Sequence, residues 1–110
     1  MGDRGNIVIF EEGGGTLYFY SHWRGTELPQ ILQAALKRGK DRWDDESYLA
    51  RIIFCEMTKY DVDGLLGYGI STDRRDWNHP NLEVHMKEQK IVCGNQSCSF
   101  QEFIEVGFKR

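Results

Sequence analysis

The segment TELPQILQAALKRGK, residues 26–40, constrains the chain most, because it is a helix with a start, a stop and one apolar side. Leu28, Ile31, Leu32, Ala35 and Leu36 recur at i, i+3, i+4, i+7 and i+8, the spacing of a single buried stripe. Thr26 is placed to cap the first free N–H groups, and Pro29 falls in the first turn, where a missing N–H costs nothing. Lys37 and Arg38 complement the carboxyl end of the helix dipole, and Gly39 suits the position just beyond it. A helix striped on one side must lie on another layer, and the flanking segments offer strands for that layer.

NIVIF and LYFYSHW are β-branched and aromatic runs separated by EEGGGT, which reads as a hairpin with a glycine-rich tip. Alternation puts Leu17, Phe19, Ser21 and Trp23 on one face, the expected core side. Tyr18, Tyr20 and His22 fall on the other, in a row about 6–7 Å apart. A second helix is predicted, apolar on most sides from Tyr48 to Met57, with Asp44 or Asp45 as its cap and Glu46 in its first turn; RIIFCEM by period alone also fits a strand, and the preceding cap favours the helix. GYGIST predicts a short strand whose glycines bend it or admit a close neighbour. DRRDWNHPN predicts a polar loop, and LEVHM with KIVCG a second hairpin around KEQ. SFQEFIEVGF carries a capping box from Ser99 to Glu102 and predicts a short last helix ended by Gly107.

The expected fold is therefore α+β, in the order β-β-α-α-β-β-β-α. It has a mostly antiparallel sheet, two main helices on one face and a short C-terminal helix. At 110 residues the chain fits one domain, residues 1–110, with core enough to fold unaided.

Hydrophobic residues make up 40% and aromatics 13%, which excludes a disordered chain. A net charge of −3 argues against general nucleic-acid binding, which needs a basic face. No run approaches the roughly 20 apolar residues of a membrane span, and no secretory signal opens the chain. Cys55, Cys93 and Cys98 form an odd set without framework spacing. The expectation is a soluble cytoplasmic protein with reduced thiols and no membrane partner.

Chemistry-bearing patterns are sparse. Cys93, Cys98 and His85 fall short of a four-ligand zinc arrangement, so no metal is expected. No nucleophile elbow, phosphate loop or dinucleotide fingerprint occurs, so neither a catalytic residue nor a cofactor is assigned. Asp41, Asp44, Asp45 and Glu46 read as acids at a helix start rather than an acid–base pair. The set left over is Tyr18, Tyr20, His22, Arg24, Arg42, Trp43 and Arg51. Arginine forks bind phosphate or carboxylate and aromatic faces stack on bases, so together they suggest an anion or nucleotide pocket. The plainer alternative pairs Arg51 with Asp45, Glu46 or Glu56 and packs Trp43 into the core.

DRGN, YSHWRGTELP, DRWDDESYLARIIFCEM and GYGIS together resemble a family of small hypothetical proteins of bacteria, archaea and their viruses, over about residues 1–75. The resemblance implies an intracellular setting, viral or prophage, so host cytoplasm if viral. It brings no activity, cofactor or catalytic residue with it. Three readings follow. The first is a small binding or accessory protein that takes a protein partner or a nucleotide-like anion. The second is an enzyme on a phosphorylated or nucleotide substrate, with His22 as general acid or base and Arg24 or Arg51 as clamp. The third is a self-associating homo-oligomer whose interface is LYFYSHW.

Overall fold

The structure, a computed structural model, describes residues 2–73 and 78–108. The strands are β1 (Gly5–Phe10), β2 (Thr16–Ser21), β3 (Tyr68–Ser71), β4 (Leu82–His85), β5 (Lys90–Cys93) and β6 (Gln96–Ser99). The helices are α1 (Leu28–Arg38), α2 (Glu46–Thr58) and α3 (Phe100–Val106), with single 3-10 turns before α1 and α2. The fold is α+β in the expected order, with one further strand, β6, before the last helix. QSCS has no apolar alternation, so the period that marks the other strands is missing there. Part of the expected polar loop, residues 74–77, lies outside the described residues.

The six strands form one sheet in the order β3-β2-β1-β4-β5-β6. Only β1 and β4 run parallel, with Ile7 opposite Leu82 and Ile9 opposite Val84. The other four pairings are antiparallel, including Ile7 with Phe19 and Val84 with Ile91. Residues directly opposite share a face. Ile7, Ile9, Phe19, Leu82, Val84 and Ile91 therefore line one side, and they join the buried stripe of α1, helix α2 and Phe100, Phe103 and Ile104 of α3 in one core. Tyr18, Tyr20, Phe10, Glu83 and His85 point to the other side, where no helix lies among the described residues.

Local details depart from expectation in instructive ways. Trp23 is half-exposed rather than in the core, because β2 ends at Ser21 and strand alternation stops with it. Neither Thr26, Asp44 nor Asp45 caps a helix with its side chain. Instead Asp44 accepts from the Gln89 amide at 2.7 Å, and Glu46 accepts the Glu12 backbone N–H at 3.1 Å, so these acids tie α2 to the two hairpin turns. Gly39 has φ −94, not the left-handed conformation. A Cβ there would stand 3.1 Å from the Ala35 carbonyl and 3.2 Å from Leu49, so its small size lets α2 pass close to α1. The capping box of α3 forms as expected, with Ser99 Oγ accepting from Glu102 N–H and Glu102 accepting from Ser99 N–H.

Candidate functional site

The seven residues singled out from the sequence fall into three places. Tyr18 and Tyr20 stand on the uncovered face of β2, and His22 follows just beyond the strand. The Tyr20 hydroxyl and His22 Nδ1 are 2.8 Å apart, and the edge of His22 meets the Trp23 ring at 5.4 Å. Arg24 turns away to Glu27, 2.9 Å from its guanidinium, and also meets the Tyr68 hydroxyl. Both partners hold Arg24 more firmly charged than usual, Glu27 first.

Arg42, Trp43 and Arg51 lie in the helix layer, across the sheet from Tyr18 and Tyr20. Trp43 donates its ring N–H to the Leu36 carbonyl at 3.0 Å and packs edge-on against Phe100, the core role the plainer reading gave it. Arg42 lies over the Tyr48 ring at 5.2 Å. Arg51, expected to need a partner inside an apolar helix, is exposed, with Cys55 Sγ 3.8 Å from its guanidinium. The buried charge on α2 is Glu56 instead, held by Arg38 at 3.2 Å and Lys59 at 2.7 Å. A single pocket of all seven residues is not assembled.

What the fold does assemble is a cleft of about 330 Å³ lined by Tyr20, His22, Trp23, Leu65, Leu66, Gly67 and Tyr68. Gly67 has φ +101, and a Cβ on it would come within 2.6 Å of the Trp23 ring, so glycine alone lets that ring lie against the chain. Around the cleft, Leu65 is 96% exposed, Leu66 72%, Ile70 55% and Trp23 50%. Trp23, Leu65 and Leu66 line the cleft together, while Ile70 stands beyond it on the edge strand, on the face of Phe19.

A second cluster escaped the sequence reading. Asp3 Oδ1 meets His79 Nε2 at 2.5 Å, and its other oxygen accepts the Thr26 backbone N–H at 2.9 Å. Those two bonds, Thr26 first, hold the Asp3 carboxyl at about 2. An ionised Asp3 fixes the proton of a neutral His79 ring on Nε2 and leaves Nδ1 as the acceptor. The cluster borders a cleft of about 200 Å³ whose walls include Gly5, Gly25, Leu28, Pro80 and Cys93. Burial, then Glu83, pushes the Cys93 thiol up, so it stays protonated and weakly nucleophilic near neutral pH. No motif links Asp3 and His79, which stand far apart in the chain. Among the described residues, no group of three or more His, Cys, Asp or Glu is arranged to hold a metal ion. No helix among them is long and apolar enough to cross a membrane.

No protein-family model, curated protein or solved structure matches this chain.

Proposed function

We propose that this chain is a small accessory protein that works by binding another protein chain, through the cleft and apolar rim at Trp23, Leu65, Leu66 and Ile70. The observation that carries this reading is the gathering of exposed Trp23, Leu65 and Leu66 at one cleft, with Ile70 exposed on the adjoining edge strand, because exposed apolar surface collected in one place marks an interaction site. Aromatic anchors with an amphipathic tip, such as Tyr20, His22 and Trp23, are the residue types that dominate such contacts. The nucleotide-like anion draws less support: Arg24 is engaged by Glu27 and Tyr68, and Arg42 and Arg51 lie on the far side of the sheet. So does the enzyme reading, since the anion clamps it calls on are not at His22: Arg24 is engaged by Glu27, and Arg51 lies in the helix layer beside Cys55. The resemblance of the first 75 residues supports an intracellular setting, viral or prophage, for this role.

Native mass spectrometry of the gently purified protein tests the reading. A bound protein chain is expected, and it should be lost from the double variant Leu65→Asp/Leu66→Asp, which leaves the core untouched. A bound nucleotide, or a thermal shift with nucleotides and no bound protein, would turn the assignment to the anion. A complex indifferent to the double variant removes this surface from the account.

A further inference from the structure

We infer that the partner at this surface is a second copy of the chain, joined edge to edge through β3 about a twofold axis. The inference rests on the protein-binding reading and names its partner. Strand β3 ends the sheet, so alternate residues of Tyr68–Ser71 turn their backbone N–H and C=O groups outward. Natural sheets protect such edges with lysine, proline, a bulge or inward-pointing charge. Residues 64–72, GLLGYGIST, hold no lysine, proline or charged side chain in a chain that is 28% charged. The opposite edge, QSCS of β6, is polar and carries no exposed apolar side chain.

The neutrality of this run favours a copy of itself. Two chains of net charge −3 repel each other over most of their surfaces, but an uncharged seam meets its own image without opposed like charges. A twofold also makes one strand supply both halves of the contact. Antiparallel residues directly opposite share a face, which requires paired residue numbers to have an even sum. Gly69 opposite its own copy satisfies this and sets Tyr68 against the second chain's Ile70, twice. An aromatic against a β-branched residue is a favourable cross-strand pair. Leu66 then faces Thr72 of the second chain. On the other face of the strand, the one Gly69 shares with Tyr20, no atom lies within 4 Å of where a Gly69 Cβ would stand.

A strand of four residues spans only about 13 Å, and a stable interface takes about 800 Å² from each partner. The contact must therefore extend over Leu65, Leu66 and Trp23, which are the apolar groups left in water next to this edge.

Sedimentation equilibrium of the purified chain across a concentration series tests the proposal, with circular dichroism confirming each variant's fold. The wild type is expected to be a dimer. Ile70→Lys, a charge on the seam, should be monomeric, while Gln96→Lys on the opposite edge should remain dimeric. Under mild oxidation Gly69→Cys should give a covalent dimer and the wild type should not, because directly opposed Cα atoms about 4.5–5.5 Å apart lie within disulfide reach. A wild-type monomer throughout the series overturns the second copy. If such a monomer still holds a foreign chain that Leu65→Asp/Leu66→Asp releases, the protein-binding reading survives alone. A dimer that persists in Ile70→Lys and is not linked through Gly69→Cys overturns the pairing through β3.

Discussion

Asp3 shows how one side chain near the start of the chain can do the work assigned by sequence to another. Thr26 was expected to cap the first free N–H groups of the helix; instead its own amide is held by a carboxylate 23 positions earlier. That carboxyl sits at about 2 against an ordinary 3.8, chiefly through the Thr26 amide and then through His79. A group whose folded pKa is lowered adds stability above its unfolded pKa and loses it as pH falls through the folded value. The stability gap between wild type and Asp3→Asn is thus expected to be full just above about pH 4 and to shrink steadily towards about pH 2. Urea midpoints measured across that range check it. A gap that does not change with pH would mean that Asp3 acts through shape, not charge. Gly25 supports the same arrangement, since a Cβ on it would strike the Asp3 carbonyl and the His79 ring, each at 2.7 Å.

Helix α2 carries the element-scale lesson. Its charge with structural weight is Glu56, 6% exposed between Arg38 of α1 and Lys59 one turn on. Burial pushes the Glu56 carboxyl up, but Lys59 and then Arg38 pull it down further, and the net direction is down. Removing both cations strands a buried carboxylate. Arg38→Met/Lys59→Met is expected to lower the urea midpoint, though modestly, since both cations are half-exposed and screened. Adding Glu56→Gln to that pair should restore part of the loss, because a neutral amide needs no counter-ion. Urea denaturation of the three proteins measures both steps, and no recovery in the triple variant would remove the charge from the explanation. Elements whose logic is local were legible: the stripe of α1 and the capping box of α3 are written within one or two helical turns. The tie of Asp44 to Gln89 and the pairing of Glu56 were not, because they join segments that meet only after the chain has folded. Strand β6 lacked the alternation by which the others are read. The candidate surface was half legible for the same reason. Tyr20 and His22 stood out as an aromatic row, but Leu65 and Leu66 looked like ordinary loop residues until the fold brought them beside Trp23.

At the scale of the molecule, the sheet is two antiparallel three-stranded units, β3-β2-β1 and β4-β5-β6, joined along one parallel seam. Neither unit closes a core by itself. The helices rest across both: Phe19 from the first unit and Val84 and Ile91 from the second belong to the same buried cluster as Leu32, Leu36 and Ile53. Damage to the helix layer should therefore be felt in both units at once. Leu36 is fully buried, and its backbone carbonyl also receives the Trp43 ring N–H. Leu36→Ala is expected to cost about 2–5 kcal/mol, the range for an aliphatic side chain truncated in a packed core. The mode of unfolding carries the structural test, made in a Trp77→Phe background: far-UV circular dichroism follows the sheet and helices while tryptophan emission follows Trp43 against Phe100 and Trp23 beside Gly67. One core spanning the seam requires both signals to shift together in urea, with the slope of stability against urea unchanged. If Leu36→Ala splits the two transitions, one three-stranded unit stands without the other, and the parallel seam is a junction between separate folding units instead of the middle of one sheet.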